Sequence, residues 1–519
     1  MKKLFFMTVA AAFALLAFVG CEKDSTEPKV VPPTVEEVSG IDQAYTRGLH
    51  EYLEITPEVA LSNENEAGVE YEWNINFKVV GNEKTLRIKC DELLSDAACY
   101  FKASSANGAK IVDFTLNVTS PYNKGLLLLS QTSEGSILTF KRLDILSTPA
   151  SPYAFKDNNP GMELGKEALS LCWRGDCLTS PDAALLSDEN YEVIVATGNP
   201  TTVYALNTND MKVKAPIVCD FTPSAIFAPA GTQTGVGLWQ GALYFVGDGK
   251  NHLMASDRSF VAATGSEAFP DGVSVADKMA VLGQTDDSDY LQVYFDNNSK
   301  KFLYVTSICL NETAFLGEKV CEGELMNLMA CDGMYYNKAK RYDSGAVMAI
   351  TANGNNVKVY RTKAVVDWEL FEEAESFVNE IDATGHILPT SATAVNPISP
   401  ILYYSVGGNI YRLNYDNESG TGFDAEPYIA LGDNYTVKQL VFNPYDSATL
   451  YIAAENADEQ SEMKASLFIY DVSDKSASKQ LFADDRVGGT VKQLIYKGNG
   501  KEYHELVEGK TSALKRLFR

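Results

Sequence analysis

The side chains that most often carry catalysis are sparse in this chain. It has only four histidines, and they lie far apart, at His50, His252, His386 and His504. Neither the HExxH pattern of zinc proteases nor the GxSxG turn that presents a serine nucleophile occurs. The segment GTQTG at 231–235 has the two glycines of that turn, but a glutamine stands in place of the nucleophile. The sequence therefore predicts a protein that is not an enzyme and that needs no cofactor.

Carboxylates, in contrast, are too common to mark a site, since the chain has 69 acidic residues. Glycosidases need two carboxyl groups at a set separation, which a sequence does not give, so a glycoside hydrolase or lyase stays open as an alternative. The stretches DDSD at 286–289 and DNESG at 416–420 offer oxygen ligands of the kind that calcium favours, but neither has the terminal glutamate of an EF-hand. We interpret both as solvated turns and predict no metal site.

Aromatic side chains in predicted loops indicate a different chemistry, the binding of sugars. A sugar site combines an apolar ring face with a few convergent polar groups. The candidate ligand-binding residues are Trp173 in LCWRGDC, Trp239 in GVGLWQGAL, and Tyr335 and Tyr336 in CDGMYYNKAKRYD. Packing in the core is the alternative for each of them, and it is favoured for Trp239. The RGD tripeptide at 174–176 matches an adhesion motif, which keeps a protein-binding adhesion module as a third interpretation.

Residues 1–20 have the layout of a secretory signal peptide, because Lys2 and Lys3 precede an apolar run. That run is slightly short for a membrane-spanning helix, which needs about 20 apolar residues. Gly20 and Cys21 end the run, and this junction resembles the lipobox of bacterial lipoproteins, in which the cysteine is lipidated. The resemblance implies a lipid anchor on Cys21, and an ordinary secreted protein is the alternative.

The segment after the cysteine, residues 21–40, is predicted to be a flexible tether. It contains three prolines and several acids but few large apolar groups, so it buries too little surface to offset the entropy of ordering. Its acidic start, EKDSTE, resembles the export signal that sends lipoproteins of some Gram-negative bacteria to the outer face of the outer membrane.

Charge excludes one class of partner. Residues 1–20 carry two lysines and no acids, so their removal moves the formal net charge from −25 to −27. Nucleic-acid binding depends on Lys and Arg that neutralise phosphates, and an anionic lipid surface would repel such a chain. We therefore expect no nucleic-acid partner and a membrane contact through the lipid alone.

Cysteine spacing suggests local disulfides in an exported protein. Eight cysteines remain when Cys21 is set aside, and an even number outside the cytoplasm is typical of pairing. The predicted pairs are Cys90 with Cys99, Cys172 with Cys177, and Cys309 with Cys321. Buried free thiols are an equal alternative for each pair, and no spacing matches a zinc site.

Residues 41–120 are predicted to form one small β-sandwich of immunoglobulin type. Strand-like runs such as VEYEWNINFKVV alternate with Gly, Asn, Asp and Ser. Trp73 alternates with Tyr71 in a Tyr-x-Trp pattern, in which we expect the tryptophan to face the core. This pattern resembles PKD-like modules.

Residues 121–519 repeat a hairpin pattern every 45–65 residues or so, which predicts a β-propeller. The segment 437–482 shows four strands in a row, and turns such as NGNN supply the Gly and Asn of tight hairpins. We expect an all-β chain with seven blades, eight being the alternative, and a first hairpin that closes the ring; a β-helix or a second string of sandwiches is the competing architecture. One segment, 365–381, has helical spacing of apolar residues and predicts an inserted helix.

This order of lipobox, tether, PKD-like module and propeller resembles the PKD-like family of surface lipoproteins. The family occurs beside outer-membrane receptor and binding-lipoprotein pairs of the starch-utilisation (Sus-like) type. The resemblance implies a lipid-anchored outer-membrane protein facing the cell exterior, an accessory in nutrient uptake. Its expected partner is a polysaccharide or oligosaccharide, or that receptor and binding-lipoprotein pair.

Overall fold

The computed structural model of the chain describes residues 31–63, 66–174, 191–228, 243–254, 258–261, 269–282, 291–306, 313–315, 318–337, 342–367, 372–416, 422–443 and 446–498. The predicted signal peptide, Cys21 and part of the tether lie outside these residues. The chain divides into two compact units, Met1–Val118 and Thr119–Arg519. Both consist mainly of antiparallel β-strands in small sheets, as the alternating sequence predicts. No helix in the described ranges is long and apolar enough to cross a membrane.

The described part of the first unit has nine strands in three sheets. They are β1 (Val35–Ser39), β2 (Ala44–Gly48), β3 (Tyr52–Ile55), β4 (Glu58–Leu61), β5 (Glu70–Ile75), β6 (Lys78–Gly81), β7 (Leu86–Lys89), β8 (Leu94–Ser105) and β9 (Gly108–Thr119). Five strands pair in the order β2-β9-β8-β5-β6, and β1-β4 and β3-β7 form two further pairs. Side chains from all three sheets share one apolar core.

Trp73 lies at the centre of that core, with its side chain fully buried. Its ring packs 4.4 Å from Phe101 and 6.1 Å from Phe114, measured between ring centroids. Its indole N–H donates to the backbone carbonyl of Glu83 at 2.9 Å. The buried donor is thus satisfied, and the prediction that Trp73 faces the core is confirmed.

The second unit has seven sheets within its described part, and we number them in chain order. Sheet 1 contains β10 (Gly125–Gln131) and β11 (Ser136–Arg142), which are followed by a short helix α1 (Ala154–Asn158). Sheets 2 to 7 each have four strands that follow one another in sequence: β12 (Glu167–Arg174), β13 (Glu192–Gly198), β14 (Thr202–Asn207), β15 (Val213–Pro216); β16 (Ala225–Phe227), β17 (Leu243–Gly247), β18 (Lys250–Met254), β19 (Phe260–Val261); β20 (Val275–Leu282), β21 (Leu291–Asp296), β22 (Phe302–Thr306), β23 (Thr313–Phe315); β24 (Glu324–Asn337), β25 (Tyr342–Asn353), β26 (Asn356–Asp367), β27 (Glu372–Asp382); β28 (Thr393–Val395), β29 (Ile401–Val406), β30 (Asn409–Asn414), β31 (Ile429–Ala430); and β32 (Tyr435–Asn443), β33 (Asp446–Asn456), β34 (Ala465–Asp471), β35 (Lys479–Gly488).

The last described strand, β36 (Thr490–Lys497), returns to sheet 1 and pairs antiparallel with β10. Leu127 lies opposite Ile495 in this pairing. The order of sheet 1 is therefore β11-β10-β36, so strands from the two ends of the unit share one sheet. Successive four-stranded antiparallel sheets that are closed by a terminal strand are the arrangement of a β-propeller, as the repeat pattern predicts.

Two-residue turns link several of the strand pairs. Asn353 pairs with Asn356 across Gly354, whose φ is +60°, and this is the NGNN turn that the sequence marks. A left-handed residue matches the twist of a tight hairpin, and glycine adopts it without steric cost.

The predicted helix at 365–381 is wrong. β26 continues to Asp367 and β27 begins at Glu372, and the two strands pair antiparallel from Lys358↔Asp382 to Asp367↔Glu372. The register shifts by one residue at Val378, a β-bulge. Apolar residues three and four positions apart also occur in strands, so their spacing alone does not distinguish a helix from this hairpin.

Two of the predicted disulfides are also wrong. Cys90 and Cys99 are separate buried thiols, and the Cys99 thiol donates to the carbonyl of Ala97, 3.3 Å away. Burial raises the pKa of both thiols. Cys321 is likewise a free buried thiol, which rules out its predicted bridge to Cys309, a residue outside the described ranges. The pairing of Cys172 with Cys177 stays a prediction because Cys177 also lies outside them.

Candidate functional site

A cavity of about 520 Å³ opens at the end of the first hairpin of the second unit. Three segments line it: the turn after β10 with the start of β11, the stretch from Pro152 to Leu164 that contains α1, and Glu462 with Met463 in the β33–β34 connection. Residues distant in sequence thus form its walls. The cavity belongs entirely to the second unit.

The first wall is held by backbone hydrogen bonds. The N–H of Thr132 donates to the carbonyl of Gly135 at 2.9 Å, which closes the turn between β10 and β11. The N–H of Ser133 donates to the Glu462 carboxylate at 2.7 Å, and the N–H of Ser136 donates to the carbonyl of Gly165 at 3.0 Å. The turn is therefore tied to the third wall through Glu462 and to Gly165, the residue that follows the second wall.

Phe155 and Asn159 hold the second wall, the stretch from Pro152 to Leu164, against sheet 2. Phe155 is buried and stacks on Tyr204, with ring centroids 5.6 Å apart. The Asn159 side chain donates to the carbonyl of Met211 at 2.9 Å and accepts the N–H of Val213 at 2.8 Å. Because these contacts fix α1 and its flanks, the preceding residue Tyr153 is presented at the cavity with 42% of its surface exposed.

Hydrogen-bond acceptors dominate the polar lining. It includes three carboxylates, those of Glu134, Glu163 and Glu462, while Lys156 is the one basic residue among the described lining residues. The hydrogen bonds from Ser133 hold the pKa of Glu462 below its usual value, so this carboxylate stays ionised at neutral pH. A general acid needs a raised pKa instead, so Glu462 is suited to accept hydrogen bonds and not to donate a proton.

One polar group at the cavity lacks a protein partner. The Ser136 hydroxyl oxygen is buried and makes no hydrogen bond in the structure. A buried hydroxyl without a partner is costly. An exposed tyrosine ring, carboxylate acceptors and serine and threonine hydroxyls together form a surface that suits the alternating apolar and hydroxyl faces of a sugar.

The structure places Trp173 elsewhere. It lies within β12 and is only 8% exposed, so its predicted position in a loop is wrong. The centroid of its ring lies 6.1 Å from that of Tyr191. The Lys497 ammonium lies over the same ring, 4.6 Å from the centroid. Trp173 is thus a core residue and does not line the cavity.

The two predicted tyrosines also lie in a strand. Tyr335 and Tyr336 belong to β24 and pair through their backbones with Ser344 and Asp343 of β25. Their predicted loop position is therefore wrong, because the hairpin extends further than its Gly and Asn content indicates. Trp239 lies outside the described residues, so its role stays a prediction.

Tyr153 and the residues around it were not among the candidate binding residues predicted from the sequence. The signal was present in SPYAFKDNNPG at 151–161, a stretch rich in Pro, Gly and Asn with two aromatic residues between predicted strand pairs. Within the described ranges, no group of three or more His, Cys, Asp and Glu side chains could hold a metal ion.

Comparisons with known proteins give no family. No model of a protein family matches the sequence, and no curated protein matches it. Among solved structures, a quinoprotein alcohol dehydrogenase-like protein from Bacteroides thetaiotaomicron is similar at 15% identity, covering 90% of this chain and 99% of its own, with a TM-score of 0.44.

Two further solved structures are similar at lower scores. The dihydro-heme d1 dehydrogenase NirN matches at 10% identity over 77% of this chain and 73% of its own, with a TM-score of 0.39. A DUF4784 family protein from Bacteroides caccae matches at 9% identity over 89% of this chain and 99% of its own, with a TM-score of 0.33. At such identities and scores, no activity, substrate or partner of these proteins extends to this chain.

Proposed function

We propose that this protein is a non-enzymatic, lipid-anchored lipoprotein of the outer-membrane surface that binds a glycan in the cavity beside Tyr153, as an accessory of a Sus-like uptake system. The observation that carries the proposal is the exposed Tyr153 ring next to carboxylate and hydroxyl groups in a cavity of about 520 Å³. The ring supplies an apolar face, and the carboxylates accept hydrogen bonds from sugar hydroxyls.

The charge of the cavity favours a neutral glycan. Three of its lining residues are acidic and one is basic, and the whole chain has a net charge of −25. A polysaccharide rich in uronic acid or sulfate would meet like charge here, which costs affinity. Neutral sugars meet no such repulsion.

The architecture that accompanies this function is a PKD/Ig-like sandwich followed by a seven-bladed propeller. Support comes from the three sheets around Trp73 in the first unit and from the seven sheets among the described residues of the second. The cavity lies between the first hairpin of the second unit and the β33–β34 connection.

Native affinity gel electrophoresis tests the binding proposal. The purified protein would be run in gels that contain neutral plant, host or microbial polysaccharides, and the same samples would be assayed for released sugar. We expect one polysaccharide to retard the protein and Tyr153→Ala to weaken this retardation at least about tenfold, which corresponds to about 1.4 kcal/mol of binding free energy.

The matched control is Tyr52→Ala, which removes another exposed tyrosine, 53% exposed, from the first unit. It should be retarded like the wild type. Equal retardation of the Tyr153→Ala variant, or no retardation of the wild type by any polysaccharide, would overturn the proposal. Release of sugar fragments would support the hydrolase or lyase alternative instead.

The anchor needs its own experiment. Cells that express the protein would be labelled with a palmitate analogue, and the labelled protein would be compared with a Cys21→Ser variant. We expect label on the wild type alone, and removal of the protein by protease added to intact cells. Label on the variant would contradict lipidation at Cys21.

A further inference from the structure

Three cationic side chains converge on one buried carboxylate in the second unit. Glu192 begins β13 and lies directly opposite Arg174, the last residue of β12. Its Oε2 accepts a bond from Arg174 Nη1 at 3.0 Å. Its Oε1 accepts from Lys214 Nζ at 3.0 Å and from Arg258 Nη2 at 2.5 Å. We call these four residues the Glu192 cluster.

The cluster lies between sheets 2 and 3 because of strand alternation. Ile194 and Ala196, two and four residues after Glu192, pack in the core that sheets 2 and 3 share. Side chains at such spacing point to the same face of a strand, so Glu192 points toward sheet 3. Arg258, which precedes β19 of sheet 3, meets it there.

Two N–H donors of the cluster have no acceptor. One carboxylate faces two guanidinium groups and one ammonium group, and it offers acceptors to only some of their N–H groups. Arg174 Nε and Arg258 Nη1 are buried and have no hydrogen-bond partner in the structure. Buried charged donors normally have acceptors, and Glu192 accepts from neither of these two N–H groups.

Arg142, elsewhere in the second unit, is an arginine whose hydrogen-bond donors are matched by the acceptors of one carboxylate. Arg142 donates through Nε and Nη2 to the two oxygens of Asp144, at 2.8 and 2.6 Å. One guanidinium and one carboxylate therefore form a complete two-bond pair, which is the preferred geometry of arginine with an oxyanion. Arg174 and Arg258 both lack this second bond.

The cluster is closed on one side and open on the other. Arg174 and Glu192 have 7% and 2% of their side-chain surfaces exposed, whereas Lys214 and Arg258 have 22% and 27%. Burial alone would raise the pKa of Glu192, but Arg174, Arg258 and Lys214 together hold it below its usual value. The carboxylate thus stays ionised, and the Lys214 and Arg258 side chains are partly exposed to solvent.

We propose that the Glu192 cluster is a binding site for a small oxyanion, a carboxylate, sulfate or phosphate group, which accepts the free N–H groups of Arg174 and Arg258. A guanidinium binds such groups through planar, charge-assisted hydrogen bonds. The oxyanion is either a free ion or the acidic group of a sugar. This site shares no residue with the Tyr153 cavity and is independent of the glycan proposal.

Calorimetric titration of the purified protein tests the site with sodium sulfate, sodium phosphate and galacturonate at constant ionic strength. We expect saturable binding of at least one of them by the wild type and a loss of affinity of at least about tenfold in Arg258→Gln. Arg258 is partly exposed and Glu192 keeps two cations, so this variant should fold. Arg142→Gln, which breaks the balanced pair, should bind as the wild type does.

A second variant tests the charge argument. Glu192→Gln removes the negative charge that competes with the ligand, so it should bind the oxyanion more tightly than the wild type. Absence of binding to any oxyanion, equal affinity in Arg258→Gln, or no gain in Glu192→Gln would each overturn the proposal.

The same titrations distinguish the two sources of the oxyanion. Tighter binding of galacturonate than of free sulfate and phosphate identifies an acidic sugar, and the reverse order identifies a free ion. Tyr153→Ala should leave all of these affinities unchanged, so failure of the glycan proposal and failure of this one give different results.

Discussion

The ammonium group of Lys497 donates a hydrogen bond of 2.7 Å to the backbone carbonyl of Tyr122, at the opposite end of the second unit in sequence. It also donates to the carbonyls of Asn123, at 2.9 Å, and Gly498, at 3.2 Å. The Lys497 side chain is fully buried at the end of β36 and lies over the ring of Trp173. Lys497 therefore links β36, the strand that closes the second unit, to the first residues of that unit.

We expect Lys497→Met to lower the free energy of unfolding of the second unit by about 3 kcal/mol. Methionine fills much of the volume but leaves three carbonyls without their donor, and a buried unsatisfied acceptor costs about 1–3 kcal/mol. Urea denaturation monitored by circular dichroism measures the change. Lys492→Met, at an exposed position of the same strand, is the control and should stay within about 0.5 kcal/mol of the wild type. A Lys497→Met protein as stable as the wild type would show that these bonds add nothing.

Asp296 gives a prediction for pH dependence. Its buried carboxylate accepts the backbone N–H groups of Ser274, Asn298 and Ser299 at 2.8, 3.1 and 2.9 Å. Burial raises its pKa, but these bonds and the Ser299 hydroxyl outweigh burial and hold the pKa below its usual value. Its stabilisation is therefore fully present above the pKa of the unfolded state, about 3.9, and is lost as the pH falls through the lower folded-state pKa.

Asp296→Asn should accordingly lose about 2 kcal/mol at pH 7, because it weakens charge-assisted bonds. The difference from the wild type should shrink as the pH is lowered from about 5 to 3. Urea denaturation at several pH values measures it, and Asp271→Asn, at an exposed position before sheet 4, is the control. A difference independent of pH would contradict a role for the ionised carboxylate.

Thiol reactivity tests the cysteine environments. Burial raises the pKa of Cys321 to about 12 and, together with Asp220, that of Cys219 to about 11. The thiolate is the reactive form, so both should react with iodoacetamide at pH 8 at least about a hundredfold more slowly in the native than in the denatured protein.

Cys219 should be labelled before Cys321, since Cys321 is only 2% exposed and Cys219 is partly exposed. Mass spectrometry of labelled peptides at successive times gives both rates. Equal rates for Cys321 in the native and denatured states would exclude a buried thiol at this position.

Local sequence signals predicted the strands well. The four runs of 437–482 form β32 to β35 of sheet 7, and the Gly and Asn of the NGNN turn stand where a tight hairpin requires them. Trp73 lies in its core as the Tyr-x-Trp alternation predicts. These features depend on a two-residue period and on turn chemistry, which are local properties of the chain.

The sites depend on contacts that are not local. Arg174 reads as part of an adhesion tripeptide in the sequence, yet it is buried against Glu192. The cluster combines residues from β12, β13 and β15 with Arg258, which precedes β19 of the next sheet. No spacing along the chain indicates that these four residues come together. The bulge at Val378 could not be predicted from the sequence either, because only the pairing of β26 with β27 shows which residue is extra.

The pairing of β36 with β10 also means that sheet 1 is completed only when the last described strand has been synthesised. The β10–β11 hairpin is made early, but the partner of the free edge of β10 is among the last described strands to be synthesised. Until then, an apolar strand, GLLLLSQ, presents unpaired N–H and C=O groups, which favours association with other chains. The second unit is therefore open to aggregation through this edge until β36 has been synthesised, and a chaperone that covers the edge of β10 would protect it during that time.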